Sequence, residues 1–305
     1  MKNLKKKFLI FNLIIIFLFV IKFEVFSSEF EGEINYGKPI LKVVFLDVWQ
    51  GDSALIFMPS GKIALIDAGL GASEYMTFDA GAQVIYPYLK NLNISKIDYV
   101  VMTHPHSDHI GGFPFIFNKL KVDKAYDCGQ PYTSQLFMQC LELISAKNIK
   151  YVIPYAPQVL KWDPLLTIKV LHPPKGWQYS DNPNNNSIVL KIIYNKISFL
   201  FTGDAEDDAE YSMIDSKADL NSTILKVPHH GSDTSSCDAF LDAVNPLVAV
   251  ISVGKNNKFG HPAPSTLARY LQRGIKLYRT DLNGTIEIVT DGEKFKIKTQ
   301  KSSAQ

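Results

Sequence analysis

The chain has 305 residues, of which 46% are hydrophobic and 20% charged, and its formal net charge is +2. This composition excludes an intrinsically disordered chain, and the length suffices for one large domain with a buried core. The three cysteines, Cys128, Cys140 and Cys237, have no CxxC spacing. A disulfide framework or a thiolate zinc site is therefore not indicated.

The N-terminus has the layout of a secretory signal peptide. Four lysines lie within residues 1–7, an apolar run follows over 8–21, and small residues that suit cleavage stand near Ser27. We predict a signal peptide over 1–27, with an uncleaved anchor as the alternative, and expect a secreted or extracytoplasmic protein. Cleavage would remove five lysines and one glutamate and leave a formal charge of −2. Residues 28–39 are predicted as a linker and 40–300 as one domain.

Strand and helix patterns alternate along that domain. Strands are predicted at 41–49, 53–59, 62–69, 96–104, 122–126, 149–153, 166–173, 187–194, 196–204, 223–228 and 247–253, and three more strands end the domain. Helices are predicted at 78–92 (with a kink at Pro87), 111–121, 133–147, 205–215, 235–244 and 264–273. Strand blocks in both halves with helices between them predict an α/β fold, a four-layer αββα sandwich.

The stretch THPHSDHIGG at 103–112 places three histidines and an aspartate at a strand end. Alternate residues of an extended chain point the same way, so His104 and His106 can hold one ion. Asp108 and His109 follow the turn and can reach a second ion. Imidazoles suit Zn²⁺, and a carboxylate also tolerates Mn²⁺. We therefore predict two divalent ions, Zn²⁺ or Mn²⁺, with a solvated histidine-rich turn as the alternative.

Metal-competent residues recur at other strand ends. Asp204 ends an apolar strand, where bridging two cations would offset the cost of a buried carboxylate; its alternative role is the N-cap of helix 205–215. His229 and His230 are neighbours and should face opposite ways. We assign His230 to the metal and His229 to the substrate, although the spacing allows the reverse. Asp67 is predicted to orient the ligand histidines, with a turn aspartate as the alternative.

These residues, in the order Asp67, HPHSDH, Asp204 and PHHGS, resemble the metallo-β-lactamase superfamily. The stretches FLDVWQGDSALI (45–56), NNNSIVLKI (184–192) and ISVGKNNKFGHP (251–262) resemble the extracellular hydrolase domain of ComEC-type competence proteins and secreted phosphorylcholine-esterase-like relatives. The resemblance covers residues 40–290. It implies a metallo-β-lactamase-like αββα sandwich with a two-metal hydrolytic site on one edge.

The sequence departs from the family pattern in three places. Trp49 stands where the usual DVGQGDS motif has glycine. The loop NPNNNS lacks a histidine ligand that many members have, and we predict that Asn185 or Asn186 takes its place as an oxygen ligand or a substrate hydrogen-bond donor. His172 is the other candidate, but we expect a histidine at the surface. No second run approaches spanning length, so no transmembrane channel is predicted.

Two adjacent ions can activate a hydroxide at neutral pH and stabilise a phosphate ester under attack. We therefore predict a metal-dependent phosphodiesterase, either a nuclease or an enzyme that hydrolyses envelope phosphoesters. Asp108, His229 and His261 are the catalytic candidates. Ser232 and Lys255 are weaker candidates for phosphate contact.

Two other functions stay open. A lactam, lactone or thioester could be the substrate, although Asp204 stands where class B lactamases commonly use cysteine. A non-catalytic binding module on the same fold is the second alternative. The predicted partner is a phosphoester, with DNA as one option. The negative net charge of the chain after cleavage slightly disfavours long nucleic acids. The sequence does not predict the oligomeric state.

Overall fold

A computed structural model describes residues 30–73 and 76–301, and its strands form two sheets. The eight-stranded sheet has the order β15-β14-β1-β2-β3-β4-β5-β6. Its strands are β1 Leu41–Phe45, β2 Ala54–Phe57, β3 Ile63–Ile66, β4 Lys96–Met102, β5 Lys121–Asp127, β6 Lys150–Val152, β14 Ile286–Thr290 and β15 Phe295–Thr299.

The seven-stranded sheet has the order β13-β12-β11-β10-β9-β8-β7. Its strands are β7 Gln158–Leu160, β8 Thr167–His172, β9 Val189–Tyr194, β10 Ile197–Phe201, β11 Ile224–Lys226, β12 Val248–Ile251 and β13 Lys276–Arg279. The α-helices are α1 Tyr86–Asn91, α2 Ser107–Ile110, α3 Phe113–Lys119, α4 Gln135–Ala146, α5 Asp207–Asp215, α6 Asp238–Val244, α7 Pro264–Gln272 and α8 Thr280–Asn283.

Three apolar layers define the sandwich. The alternation of side chains along β1 shows how one strand contributes to two layers. Val43 and Phe45 lie in the core between the two sheets, while Val44 lies in the core between the first sheet and its helices. The outer core of the first sheet contains Phe113 of α3, and that of the second sheet contains Phe240 of α6. Helices thus cover both outer faces, and the predicted four-layer αββα fold is confirmed.

The strand directions bring the predicted residues to one edge. β3 and β4 run parallel in the first sheet, and β10, β11 and β12 run parallel in the second. Asp67 follows β3, His104 follows β4, Asp204 follows β10 and His229 follows β11. Because parallel strands end at the same edge, these four residues meet although 162 positions separate the first from the last.

Several predicted elements differ in detail. The helix predicted at 78–92 begins as a π-helix, Gly81–Ile85, and Pro87 lies in the first turn of the α-helix that continues it, where a missing N–H is tolerated. The helix predicted at 205–215 begins at Asp207, with Glu206 at the N-cap position. Asp204 therefore does not cap it, and the alternative role considered for Asp204 was wrong.

The described part of the predicted linker packs on the first sheet. The Gly32 amide donates to the Phe295 carbonyl at 3.0 Å, and the Asn35 amide donates to the Asp291 carboxylate. The predicted signal peptide lies outside the described residues. Within the described ranges, no helix combines the length and the apolar character needed to cross a membrane.

Candidate metal centre

Close backbone contacts hold the THPHSDHIGG stretch against its neighbours. The amide of Asp52 donates to the carbonyl of Asp108 at 3.1 Å. A Cβ on Gly111 would come within 2.0 Å of the Gly71 nitrogen, and a Cβ on Gly51 within 2.2 Å of the Asp108 oxygen. Only glycine permits this approach, so the turn is tightly placed before any side chain is considered.

Asp204 lies at the centre of the cluster. Its Oδ2 is 3.1 Å from Nε2 of His109 and 3.3 Å from Nε2 of His230. The same oxygen is 3.9 Å from Nε2 of both His104 and His229. One buried carboxylate oxygen therefore faces four imidazole rings, as a bridging ligand would.

The residue types and their unsatisfied atoms fit a divalent cation. Ligand atoms of Asp108, His109, Asp204 and His230 all lie within 4.8 Å of one another. Nε2 of His109, Nε2 of His230 and Oδ1 of Asp204 are buried and have no hydrogen-bond partner within residues 30–73 and 76–301. Buried polar atoms normally have partners, so this combination points to a cation.

His104 and His106 form a second pair of potential ligands. Nε2 of His104 lies 3.0 Å from Nδ1 of His106. Two nitrogens bound to one tetrahedral ion at about 2.0–2.1 Å would be separated by about 3.3 Å. The pair is therefore already close to the spacing that a shared ion needs.

Acceptors behind the rings set the histidine tautomers. Nδ1 of His109 lies 2.8 Å from Oδ2 of Asp67, and Nδ1 of His230 lies 2.9 Å from the Ser252 carbonyl. A carboxylate or a carbonyl accepts, so each Nδ1 carries a hydrogen and Nε2 is the ring nitrogen directed into the cluster. Asp67 thus occupies the position predicted for it, and Thr103 holds it through two further hydrogen bonds.

The electrostatics show how strongly the cluster attracts positive charge. Burial raises the pKa of Asp204, but His109 and His230 outweigh this effect and hold that pKa well below its usual range. Burial lowers the pKa of His109 and of His230, but Asp204 and other nearby carboxylates raise both well above 6.5. Protons on the two histidines and divalent cations therefore compete for the same negative charge.

His229 and His230 both reach the cluster, contrary to the prediction for neighbours on extended chain. They lie in a 3₁₀ turn, Pro228–Gly231, with φ of 46° and 53°. Two successive left-handed residues replace the alternation of a strand. His230 is fully enclosed, while the more exposed His229 pairs through Nδ1 with the Glu206 carboxylate at 2.8 Å.

His261 lies beside this pair, and its ring centroid is 5.4 Å from that of His229 and 6.4 Å from that of His230. Burial first, and then the nearby His229 and His230, lower the pKa of His261 to about 4. His261 is therefore neutral at pH 7. Its ring stacks on the exposed Phe259 at the rim of the site.

Asn185 and Asn186 do not point into the cluster, which corrects the prediction for that loop. Oδ1 of Asn185 accepts from the amides of Glu206 and Ala209, and its Nδ2 donates to Asp208. Oδ1 of Asn186 accepts from the Trp177 ring and the Ser180 amide, and its Nδ2 donates to the Ser180 carbonyl. The side-chain amides of both residues are therefore already hydrogen-bonded to neighbouring groups outside the cluster. The neighbouring Asn184 contacts the site instead, through His229 at 3.5 Å.

Three other predicted residues lie apart from the cluster. The Ser232 hydroxyl is buried against Thr234 at 2.9 Å, and Lys255 is exposed on its loop. His172 is completely buried, which corrects the prediction of a surface residue. Its ring packs edge-on against Trp177 and contacts the Ser187 carbonyl.

Trp49 lies at the start of the loop that carries Asp52, with φ of 63° and with 43% of its surface exposed. This left-handed backbone explains why glycine suits the position in the family motif. The Trp49 ring packs edge-on against Phe78 at 6.5 Å.

A buried ion pair that was not predicted from the sequence lies beneath the cluster. Lys226 is 4% exposed and pairs closely with Asp52, and its Nζ lies 3.9 Å from Oδ1 of Asp204. Burial raises the pKa of Asp52, but Lys226 and then His230 outweigh this and lower it. Asp52 stands inside the FLDVWQGDSALI stretch and Lys226 lies two residues before PHHGS, and a lysine in an otherwise apolar strand was the available signal.

Comparison with known proteins agrees with this geometry. The family model of the metallo-beta-lactamase superfamily matches residues 46–255, and the chain belongs to this superfamily. A solved metallo hydrolase from the archaeon Ignicoccus hospitalis shares the fold, with a TM-score of 0.54 at 16% identity over 81% of this chain and 98% of that one.

Two relatives indicate which proteins of the superfamily this chain is similar to. ComE operon protein 3 of Bacillus subtilis is 30% identical over 262 residues, which are 81% of this chain and 32% of that protein. Competence protein ComA of Neisseria gonorrhoeae is 32% identical over 238 residues, which are 74% of this chain and 32% of that protein. The chain thus spans 32% of each relative's length. The resemblance to a ComEC-type hydrolase domain is confirmed.

Proposed function

We propose that the chain is an exported phosphodiesterase that uses two divalent ions, Zn²⁺ or Mn²⁺. The observation that carries this proposal is the position of Asp204, whose single oxygen faces four histidine rings. His104 and His106 would hold one ion. Asp108, His109 and His230 would hold the other, and Asp204 would contact both. Ions so placed supply a nucleophile at neutral pH and neutralise charge on both the attacking and the leaving oxygens of a phosphate ester.

The remaining residues of the site bind and orient the substrate. Glu206 accepts from Nδ1 of His229, so Nε2 of that ring is left to face the phosphoryl group. Nε2 is the atom through which His229 would contact a phosphoryl oxygen or the leaving group. His261, with its pKa near 4, is neutral at pH 7 and serves as a hydrogen-bonding group rather than as an acid.

Two observations support a phosphodiester as the substrate class. The site has acceptors for two cations and histidine donors beside them, which suits a phosphate diester more than a neutral ester. One relative is named a competence protein, and we include DNA as one candidate substrate beside envelope phosphoesters.

The test is hydrolysis of bis-p-nitrophenyl phosphate and of single-stranded DNA by the chelator-treated protein, with Mn²⁺ or Zn²⁺ added back. We expect turnover only with added metal, and a loss of at least about 100-fold in His106→Ala, because even residues behind metal ligands are worth 10–100-fold. His172→Phe is the matched control, a buried histidine outside the cluster that should retain activity. Turnover that survives both the chelator and His106→Ala would refute the mechanism. Metal binding without turnover on either substrate would favour a binding module or another ester class.

A further inference from the structure

The Asn184 side chain has an unusual combination of satisfied and unsatisfied atoms. It is 6% exposed and lies in the 3₁₀ turn Pro183–Asn186. Its Nδ2 donates to Oε1 of Glu206 at 2.7 Å. Its Oδ1 is buried and has no hydrogen-bond partner among the described residues. Because buried polar atoms normally have a hydrogen-bond partner, a buried oxygen without one indicates a place for a ligand.

Glu206 determines which way this amide faces. Its Oε1 accepts from Asn184 and from Nδ1 of His229, and its Oε2 accepts from Nδ2 of Asn182 at 2.8 Å. These three partners are nitrogen donors, so both carboxyl oxygens of Glu206 act as acceptors. A carboxylate only accepts, and the Asn184 NH₂ must therefore face Glu206 while Oδ1 faces away.

The side of the Asn184 amide that faces away from Glu206 is the side on which His106 lies. The Asn184 side chain lies within hydrogen-bonding reach of His106, and its Nδ2 lies 3.5 Å from Nε2 of His229. Since Nδ2 is hydrogen-bonded to Glu206, the amide atom on the side of His106 is Oδ1. His106 is paired with His104 at 3.0 Å, so Oδ1 of Asn184 is directed toward the part of the site where that pair would hold its ion.

We propose that Asn184 supplies an oxygen ligand to the ion held by His104 and His106, and that Glu206 is the positioning residue that presents it. This inference rests on the two-ion site of the proposed function. An amide oxygen is a harder ligand than an imidazole, so this ion should be more compatible with Mn²⁺ than a site with three histidines would be.

The experiment measures metal binding directly. Chelator-treated protein is titrated with Mn²⁺ and with Zn²⁺ by calorimetry, and bound metal is counted by elemental analysis. We expect two ions in the unmodified protein. In Asn184→Ala one ion should bind at least about tenfold more weakly while the other is unchanged. Glu206→Gln should weaken the same ion about tenfold, as expected for a residue that orients a ligand.

Two further variants make the outcome specific. Asn184→His should restore the affinity and shift the preference of that ion toward Zn²⁺. Asn118→Ala is the matched control, because Asn118 is exposed and its amide donates to the Pro114 carbonyl of its own helix. If Asn184→Ala fails to fold, Asn184→Leu keeps the side-chain volume without the oxygen and should show the same weakened ion.

The possible results separate the two proposals. Two ions of unchanged affinity in Asn184→Ala or Asn184→Leu would overturn the ligand assignment and leave the proposed function intact. Failure of the unmodified protein to bind any divalent ion would instead overturn the two-ion function on which the assignment rests.

Discussion

Replacing Lys226 with methionine tests the buried ion pair beneath the metal centre. Lys226 pairs with Asp52, donates to the Gly203 carbonyl at 3.2 Å and lies 3.9 Å from Asp204. Methionine keeps most of the length and volume of the side chain. The substitution therefore removes a charge from among buried carboxylates without opening a large cavity.

The expected cost follows from these distances. Two unit charges about 4 Å apart interact by about 4 kcal/mol at an effective dielectric constant near 20. Loss of one partner of a buried pair typically costs about 3–5 kcal/mol, because the other charge is left uncompensated. We therefore expect Lys226→Met to lower the free energy of unfolding by about 3–5 kcal/mol, out of a typical total of about 5–15 kcal/mol.

Urea unfolding at pH 7 in the presence of chelator measures this loss without a contribution from bound metal. The double variant Lys226→Met/Asp52→Asn removes both charges and should recover about 2 kcal/mol relative to the single variant, since neutral replacement of a buried pair is often tolerated. A loss below about 1 kcal/mol in Lys226→Met, the range of an exposed pair, would refute the reasoning.

Two further predictions concern a buried histidine and a glycine contact. Burial lowers the pKa of His172 to about 4. The free energy of unfolding that depends on the neutral ring is therefore fully present above pH 6.5, and about 3 kcal/mol of it is lost as the pH falls toward 4. Urea unfolding of the chelator-treated protein measures this loss. Between pH 7 and pH 4 the free energy of unfolding should fall by about 3 kcal/mol less in His172→Phe than in the unmodified chain, and an equal fall in the two proteins would contradict the prediction. Gly51→Ala should displace Asp108 and weaken one ion at least about tenfold in a metal titration, and unchanged binding would contradict it.

The fold and most of the cluster could be predicted because they follow from regular geometry. Strand alternation indicates two buried faces for each sheet, and parallel strands end at a common edge. These two rules suffice to bring Asp67, His104, Asp204 and His230 together in the structure.

The remaining details depend on irregular turns, where no period applies. His229 and His230 share a side because both have positive φ, and three consecutive asparagines differ in role because a 3₁₀ turn points only Asn184 inward. The partners of Glu206 and Lys226 come from distant parts of the chain. Charge alone could not reveal these contacts, because most charged residues are solvated.

The position of β1 has a consequence for the order in which the chain can be assembled. β1 lies between β2 and β14 in the eight-stranded sheet, so the first strand of the described residues is paired on one side with a strand from the far end of the domain. Until the β14–β15 hairpin arrives, one edge of β1 offers unpaired backbone groups to any other extended chain. Such long-range pairing is intrinsically slow to form. The nascent domain therefore passes through a stage at which its first sheet is open, and this stage lasts until nearly the whole domain has been made.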